Sequence, residues 1–340
     1  MTGVTAALGQ TIALAILIPC SFCTVDRKPY ASQRACRQTL AQSGGEIRPC
    51  FRIIKASSMP SLASIVAATR QRLSQRRRDL DSRIVELAAE RHRPRGFRVN
   101  LDRFSRQGIA IIAELKKASP SKGLIRQEFH PAALARELEQ SGAAALSVLT
   151  DEEFFQGSLA YLREASSATS LPCLRKDFIL DEFQILEARA NSADAVLLIV
   201  AALEQRELVS LAQSARSYQL DVLCEAHDEA ELQRALDAGC DLIGINSRDL
   251  RTFEVNLDTL SRVAAKIPRG CLAVAESGIH SGADIASLRA SGYQAFLIGE
   301  SLMKVERPGE ALAKLIEESK QNATVSEARS FSSKLEAQSS

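Results

Sequence analysis

Acidic and basic side chains follow directly after short apolar runs along residues 109–300. Glu114 and Lys116 end the first run, Lys176 ends the third and Glu225 ends the fifth. Ionisable groups are costly to bury unless they are paired or take part in chemistry. A lysine and a glutamate in one enclosed site can act as general acid and general base. The pattern therefore predicts acid–base catalysis, provided that the fold brings these run ends together.

The later runs end in groups of a similar kind. Asn246 follows the sixth run, Glu276 and Ser277 follow the seventh, and Gly299 and Glu300 follow the eighth. An ionisable or amide group thus stands at the end of six of eight runs. Such a frequency favours one shared active site over a set of unrelated surface charges.

The elements that must position these groups are visible in the spacing of the apolar runs. The runs cover residues 109–114, 144–149, 172–175, 194–200, 220–224, 241–245, 271–275 and 294–298. Helical patterns lie between them, most clearly at 131–140, 204–218, 229–238 and 281–291. Regular alternation of strand and helix indicates βαβ units and a parallel sheet. Eight units predict an α/β fold, a single closed (β/α)₈ TIM barrel, and a doubly wound sheet with fewer strands is the alternative.

In such a barrel the active site lies at the C-terminal strand ends. Alternate residues of a strand share a face, so Glu114 is expected to hold Lys116, whereas Lys176 and Asp177 point to opposite faces. A lysine enclosed in the barrel mouth is expected to have a lowered pKa, which suits a general acid or a Schiff-base nucleophile. Glu225 is a candidate base whose pKa the lysines would set, and a purely structural buried carboxylate is the alternative.

Two glycine-containing loops, residues 275–279 (AESGI) and 297–301 (LIGES), follow the seventh and eighth runs. The loops after these strands commonly bind phosphate through backbone N–H groups in this fold. Gly278 and Gly299 would allow the backbone to approach the anion closely. The sequence therefore predicts a phosphorylated small-molecule substrate.

Composition narrows the classes of partner and cofactor. The 340 residues are 46% hydrophobic and 25% charged with a formal charge of +2, which gives no field to attract nucleic acid or a membrane surface. The four histidines, His92, His130, His227 and His280, form no i, i+4 pair, and no P-loop or dinucleotide fingerprint follows the first run. No metal and no cofactor are therefore expected.

The two ends of the chain differ from its middle. Residues 1–58 are basic and include a Cys20–Cys23 pair, and we expect an extension that is disordered, transit-like or upstream of a true start at Met59. Residues 59–320 are expected to form the barrel with an extra N-terminal helix at 61–94, for which a break into two helices is the alternative, and residues 321–340 a disordered tail. The arginine-rich stretch 70–78 is interpreted as a solvated helix face, with a nucleic-acid patch as the alternative. Cysteines 173, 224, 240 and 271 are expected to be small core residues in a reducing compartment.

Seven motifs in order give a family resemblance. They are AELKKASPSKG at 113–123, CLRKDFILDEFQI at 173–185, ADAVLLIV at 193–200, CEAHDEAEL at 224–232, GINSRDL at 244–250, AESGI at 275–279 and FLIGESLM at 296–303. Over residues 61–318 the chain resembles indole-3-glycerol-phosphate synthase of the tryptophan pathway. The resemblance implies ring closure of 1-(2-carboxyphenylamino)-1-deoxyribulose 5-phosphate to indole-3-glycerol phosphate, with loss of CO₂ and water.

The same resemblance implies roles for the strand-end residues. Lys176 would be the general acid and Glu225 the general base, while Lys116 would pair with the substrate carboxylate or act as a second acid. Orientation of these groups and of the ribulose hydroxyls would fall to Glu114, Asn246 and Glu276. The substrate and phosphate pocket would be lined by Ser119, Phe178, Arg248, Ser277, Gly278, Gly299 and Glu300, with Phe178 near the aromatic ring.

Other functions remain open at this level. Phosphoribosylanthranilate isomerase and a Schiff-base aldolase are phosphate-binding barrel enzymes with comparable sites, and a basic-helix RNA-binding protein is a hypothesis of a different class. A monomer or weak oligomer is expected, with other tryptophan-pathway enzymes as possible partners. The expected location is the cytoplasm, or an organelle stroma if residues 1–58 are a transit peptide.

Overall fold

The computed structural model of the protein describes residues 60–248 and 257–322. Eight parallel strands close into a barrel in which each strand pairs with the next along the chain, and the last pairs with the first. They are β1 (Ala110–Leu115), β4 (Ala145–Leu149), β5 (Cys173–Lys176), β6 (Ala195–Ile199), β7 (Asp221–Ala226), β8 (Leu242–Asn246), β9 (Leu272–Glu276) and β10 (Ala295–Ile298). The predicted (β/α)₈ barrel is confirmed, each strand lying within two residues of its predicted run, and the doubly wound alternative is wrong.

Side chains alternate between the two faces of each strand. Ile112 of β1, Leu223 of β7 and Leu297 of β10 belong to the cluster inside the barrel, whereas Ile111 and Ala113 pack outward. The inward face continues beyond the apolar residues, so that Ile112 is followed two residues later by Glu114. The periodicity that builds the core therefore also aims polar side chains into the barrel mouth.

Helices surround the barrel and cover its outer face. In the described part of the chain they include α4 (Pro131–Gln140), α5 (Glu152–Phe155), α6 (Leu159–Ala168), α7 (Glu182–Ala190), α8 (Gln205–Ser217), α9 (Glu229–Asp237), α10 (Leu257–Ala264), α11 (Gly282–Ala290), α12 (Glu300–Met303) and a helix at 308–322, α13. The last one extends to residue 322, two residues past the predicted end of the barrel domain at residue 320. None of the helices in the described ranges is long and apolar enough to cross a membrane.

The extra N-terminal segment contains three helices. The predicted helical region 61–94 is divided into α1 (Leu62–Asp79) and α2 (Ser82–Arg91), which was the alternative to a single helix, because Leu80 takes an extended conformation and Asp81 caps the second helix. A third helix, α3 (Phe97–Gln107), was not predicted. Its Phe97 and Leu101 are fully buried among the barrel-interior side chains. It therefore fills the end of the barrel opposite the strand C-termini.

The arginine-rich stretch of α1 is bound to the barrel rather than simply solvated, which corrects its interpretation. Arg72 contacts Asp151 at 2.6 Å, and Arg76 contacts Glu187 at 2.6 Å. Both carboxylates are buried, so the guanidinium groups compensate charges that would otherwise be costly in the core. The stretch thus anchors the N-terminal segment to the barrel.

Several smaller predictions can be compared with the structure. The loop after β1, which begins within the motif at 113–123, contains an antiparallel hairpin of β2 (Ala118–Ser119) and β3 (Gly123–Leu124). Cys173, Cys224 and Cys240 are buried free thiols, as predicted, whereas Cys271 is only half-buried. The predictions for residues 1–58, including the Cys20–Cys23 pair, and for residues 323–340 fall outside the described residues.

Candidate active site

All thirteen residues singled out from the sequence line one cavity at the C-terminal mouth of the barrel. These are Glu114, Lys116, Ser119, Lys176, Phe178, Glu225, Asn246, Arg248, Glu276, Ser277, Gly278, Gly299 and Glu300. The structure therefore brings them together, while their individual roles remain predictions.

Lys176 occupies the centre of this site. Its Nζ lies 2.8 Å from Glu225 Oε2 and 3.4 Å from Glu276 Oε2. Lys116 Nζ lies 2.6 Å from Glu114 Oε1, which is the pairing expected for residues on one face of β1. The mouth thus holds two lysine–glutamate units, in one of which the lysine is shared by two buried carboxylates.

Neighbouring amide and hydroxyl groups fix the central unit. Asn246 Nδ2 donates to Glu225 Oε1 at 3.1 Å. Its Oδ1 accepts from Ser277 Oγ at 2.8 Å and from the backbone N–H of Arg248 at 3.1 Å. Asn246 therefore couples the carboxylate of Glu225 to the loops that follow β8 and β9.

The charges in this cluster shift its pKa values in opposite directions. Burial alone would lower the pKa of Lys176, but the charges of Glu225, Glu276 and Glu114 outweigh it and raise that pKa. The expected lowering is therefore wrong, because enclosure also brings three carboxylates around the ammonium. For Glu225, burial acts to raise the pKa, yet Lys176 and His227 bring it down to about 2.

Glu276 is the carboxyl that favours its neutral form. Burial and the nearby negative charge of Glu225 raise its pKa to about 8 against the opposing effect of Lys176. Its Oε1 is buried and lacks a hydrogen-bond partner among the described residues. Gly244 makes room for it, because a Cβ at that position would lie 2.1 Å from Glu276 Oε1. One polar atom therefore remains available in the middle of the site.

The predicted phosphate side is formed by the loops after β9 and β10. Ser277 and Gly278 both have positive φ angles, 64° and 72°. Gly299 packs against Glu114, since a Cβ there would lie 2.5 Å from Glu114 Oε1. Glu300 is held by Lys304 at 2.5 Å, so its carboxylate already has a cationic partner.

Apolar side chains close the opposite wall. Leu149, Phe155, Phe178, Leu197 and Ile199 line this wall of the cavity. The rings of Phe155 and Phe178 are 6.3 Å apart with an interplanar angle of 41°. An aromatic group would fit against this wall, while charged groups would meet the lysines.

One charged residue of the third run does not join the site. Arg175 faces away from the barrel axis, where it contacts Asp177 and Glu187, each at 2.9 Å. Conversely, His227 was not selected, although its Nε2 lies 3.5 Å from Glu225 Oε1. Its position two residues after Glu225, on the same side of the chain as it leaves β7, was the available sequence signal.

Comparison with known proteins agrees with this geometry. The family model described as indole-3-glycerol phosphate synthase matches residues 62–315. Two similar proteins are named indole-3-glycerol phosphate synthase. The protein from Koribacter versatilis is 55% identical over 75% of this chain and 98% of its own length. The protein from Acidithiobacillus ferrooxidans is 49% identical over 75% of this chain and 97% of its own length. A solved mandelate oxidase mutant has a TM-score of 0.51 at 16% identity, covering 70% of this chain and 93% of its own, which shows likeness of fold alone.

Proposed function

The chain belongs to the indole-3-glycerol phosphate synthase family, and we propose that Lys176, Glu225 and Lys116 carry out the ring closure at the mouth of its barrel. Family membership makes it a decarboxylating lyase of tryptophan biosynthesis that acts on a small phosphorylated substrate. The substrate is 1-(2-carboxyphenylamino)-1-deoxyribulose 5-phosphate, and the products are indole-3-glycerol phosphate, CO₂ and water.

The observation that carries the assignment of roles is the Lys176–Glu225 contact of 2.8 Å in the centre of the cavity. Ring closure requires a proton on the ketone oxygen as the aryl carbon attacks the carbonyl carbon, and a second proton on the resulting hydroxyl as it leaves as water. Lys176 is cationic and central, so it is placed to give both protons. Glu225 is ionised and adjacent, so it takes the proton released as the indole becomes aromatic.

Lys116 and the glycine loops hold the two ends of the substrate. Lys116 pairs with the carboxylate that leaves as CO₂, next to Glu114, which orients its ammonium group. The phosphate binds to the backbone of Ser277, Gly278 and Gly299, with its charge near Arg248. The anthranilate ring lies against Phe178.

The experiment is to incubate the full chain with the carboxyphenylamino substrate and follow the appearance of indole fluorescence. Lys176→Ala and Glu225→Gln should each lower turnover by roughly 10²–10⁴, the usual contribution of a positioned acid or base. Retained activity in either variant would refute the assigned role.

A Schiff-base aldolase is the second candidate, and the electrostatics disfavour it. A nucleophilic lysine must be neutral, whereas three carboxylates raise the pKa of Lys176. Borohydride treatment in the presence of substrate should therefore leave no covalent adduct on Lys176 or Lys116.

The setting of the enzyme is also proposed. We expect a cytoplasmic enzyme, or a stromal one if residues 1–58 are a transit peptide, that acts as a monomer or weak oligomer, alone or with other tryptophan-pathway enzymes. The barrel domain would extend from residue 59 through the last described helix, which ends at residue 322, with residues 1–58 as a separate extension. N-terminal sequencing of the native protein tests the first boundary.

A further inference from the structure

The proton balance of the proposed reaction requires a supply of protons from solvent. Two protons go to substrate oxygen, one to the ketone and one to the hydroxyl that leaves as water. Only one proton returns, when Glu225 takes it from the forming indole. The carboxylate leaves as neutral CO₂, so each turnover consumes one proton from solvent.

The central acid and base are poorly placed to collect this proton directly. The side chains of Glu225 and Glu276 are each 2% exposed, and that of Lys176 is 13% exposed. The mouth above Lys176 is where the substrate binds, so the bound substrate would cover it further. A second connection to solvent would therefore be useful behind the reacting groups.

His227 lies at this point. It follows the end of β7, and its Nε2 faces Glu225 Oε1 at 3.5 Å, on the side of Glu225 that is turned away from Lys176. Its Nδ1 lies 2.9 Å from Glu231 Oε2. The ring therefore stands between the carboxylate of the base and a second carboxylate nearer the rim.

The ring is held in this orientation by the start of α9. The backbone N–H of His227 donates to Glu231 Oε2 at 2.8 Å, and the backbone N–H of Glu231 donates to Asp228 Oδ1 at 2.8 Å. With Nδ1–H donating to Glu231, only Nε2 is directed at Glu225. Nε2 is buried and has no hydrogen-bond partner within the described ranges, so its proton is not already committed.

We propose that His227 is a positioning residue that relays protons from solvent at Glu231 to Glu225, and through Glu225 to Lys176. After Lys176 has protonated the ketone oxygen, the imidazolium passes its Nε2 proton to Glu225 Oε1. The carboxyl group rotates and passes the proton to the neutral Lys176 Nζ, which restores the acid. The imidazole then regains a proton from solvent near Glu231, so one solvent proton enters in each cycle. This inference rests on the proposed ring closure.

The electrostatic surroundings support a charged ring in the resting site. Burial alone would lower the pKa of His227, but Glu231, Glu225 and Glu276 outweigh it and raise that pKa. These three carboxylates come from α9, β7 and β9, and Lys176 lies beyond Glu225. The side chains of His227 and Glu231 are 15% and 19% exposed, which leaves the outer end of the relay in contact with solvent.

The test compares His227→Gln with the unchanged full chain. The glutamine side chain has a hydrogen-bonding amide of similar length, but an amide does not take up and release a proton near neutral pH. We expect kcat to fall by about tenfold or more, less than the roughly 10²–10⁴ of a directly acting group. KM should be nearly unchanged, and the solvent deuterium isotope effect on kcat should rise, because proton supply becomes rate-limiting.

Further variants separate the relay from a merely structural role. Glu231→Gln, which removes the carboxylate at the outer end of the relay, should also lower kcat and raise its solvent deuterium isotope effect. Glu229→Gln, in the same first turn of α9 and exposed, should leave both unchanged. Added imidazole should accelerate His227→Ala. Unchanged kcat and isotope effect in His227→Gln, or no rescue by imidazole, would overturn the relay. If the unchanged chain fails to form the indole product, it is the proposed function that fails.

Discussion

Replacing Lys176 by methionine should destabilise the fold strongly at neutral pH and much less in acid. Methionine keeps the length of the side chain, so the change removes a charge and leaves little cavity. At 2.8 Å from Glu225 Oε2, the ammonium attracts this ionised carboxylate by about 6 kcal/mol at an effective dielectric constant of about 20. Glu276, whose pKa is raised to about 8, is mostly neutral at pH 7 and adds little to this attraction. Most of this attraction offsets desolvation, and the loss expected from breaking such a buried pair is about 3–5 kcal/mol.

The pH dependence follows from the same contacts. In the unchanged protein the pKa of Glu225 is lowered to about 2 from 4.5, so its stabilising effect is present above pH 4.5 and is lost as the pH falls towards 2. Without Lys176, burial is no longer opposed by the ammonium, and the pKa of Glu225 should lie above 4.5. The variant's deficit should therefore be large at pH 7 and should shrink as the pH falls through this raised pKa, so that it is already smaller at pH 4.

The assay is urea unfolding of both proteins at pH 7 and pH 4, with the free energy of unfolding taken from linear extrapolation. Adding Glu225→Gln to Lys176→Met should recover part of the stability at pH 7, because the uncompensated carboxylate is gone. A deficit below about 1 kcal/mol at pH 7, or one that is equal at both pH values, would refute this account of the cluster.

Three further predictions concern other parts of the molecule. The folded-state pKa of Glu276 is raised to about 8. Its stabilising contribution is therefore complete below pH 4.5 and is lost as the pH rises towards 8. Glu276→Gln should remove this loss, so that the unfolding free energy declines less between pH 4.5 and pH 8. Gly244→Ala would push a Cβ into Glu276 and should lower kcat without unfolding the barrel, whereas Gly108→Ala, which meets open space, should leave kcat unchanged. Arg76→Ala should lower the unfolding free energy by about 1 kcal/mol, a value discounted because this arginine is 38% exposed. Arg78→Ala removes a side chain that donates to Gln75 of its own helix, and it should change the unfolding free energy by less than about 0.5 kcal/mol.

Much of the barrel could be predicted because its strands are buried on both faces. Such strands are continuous apolar runs, and the runs at 194–200 and 271–275 differ from β6 and β9 by a residue or so at each end. The third helix was missed because its sequence, FRVNLDRFSRQ, is mostly polar, with Phe97, Leu101 and Phe104 as its inward-facing apolar residues. Its burial depends on the open end of a barrel that only the tertiary structure supplies.

The convergence of the site was predictable for a topological reason, and its electrostatics were not. Parallel strands in a closed barrel place every C-terminal end at one rim, so Lys176 and Glu225 had to approach each other whatever their function. The sign of the pKa shift of Lys176, in contrast, depends on whether its carboxylate neighbours lie within about 4 Å or a few ångströms farther away. Strand spacing alone does not fix such differences, which arise from side-chain conformations on β5, β7 and β9.

A raised pKa changes how the central lysine can act as an acid. A lysine with a lowered pKa would give up its proton readily but would be partly neutral at rest, and it would then compete as a nucleophile for the substrate ketone. The raised pKa keeps Lys176 cationic, which disfavours imine formation, and in the proposed ring closure it would give up its proton only when the ketone oxygen becomes strongly basic. The two carboxylates in contact with it then favour rapid reprotonation. The cluster therefore favours acid–base chemistry over covalent chemistry, and under the proposed roles each turnover would require a supply of protons to Lys176.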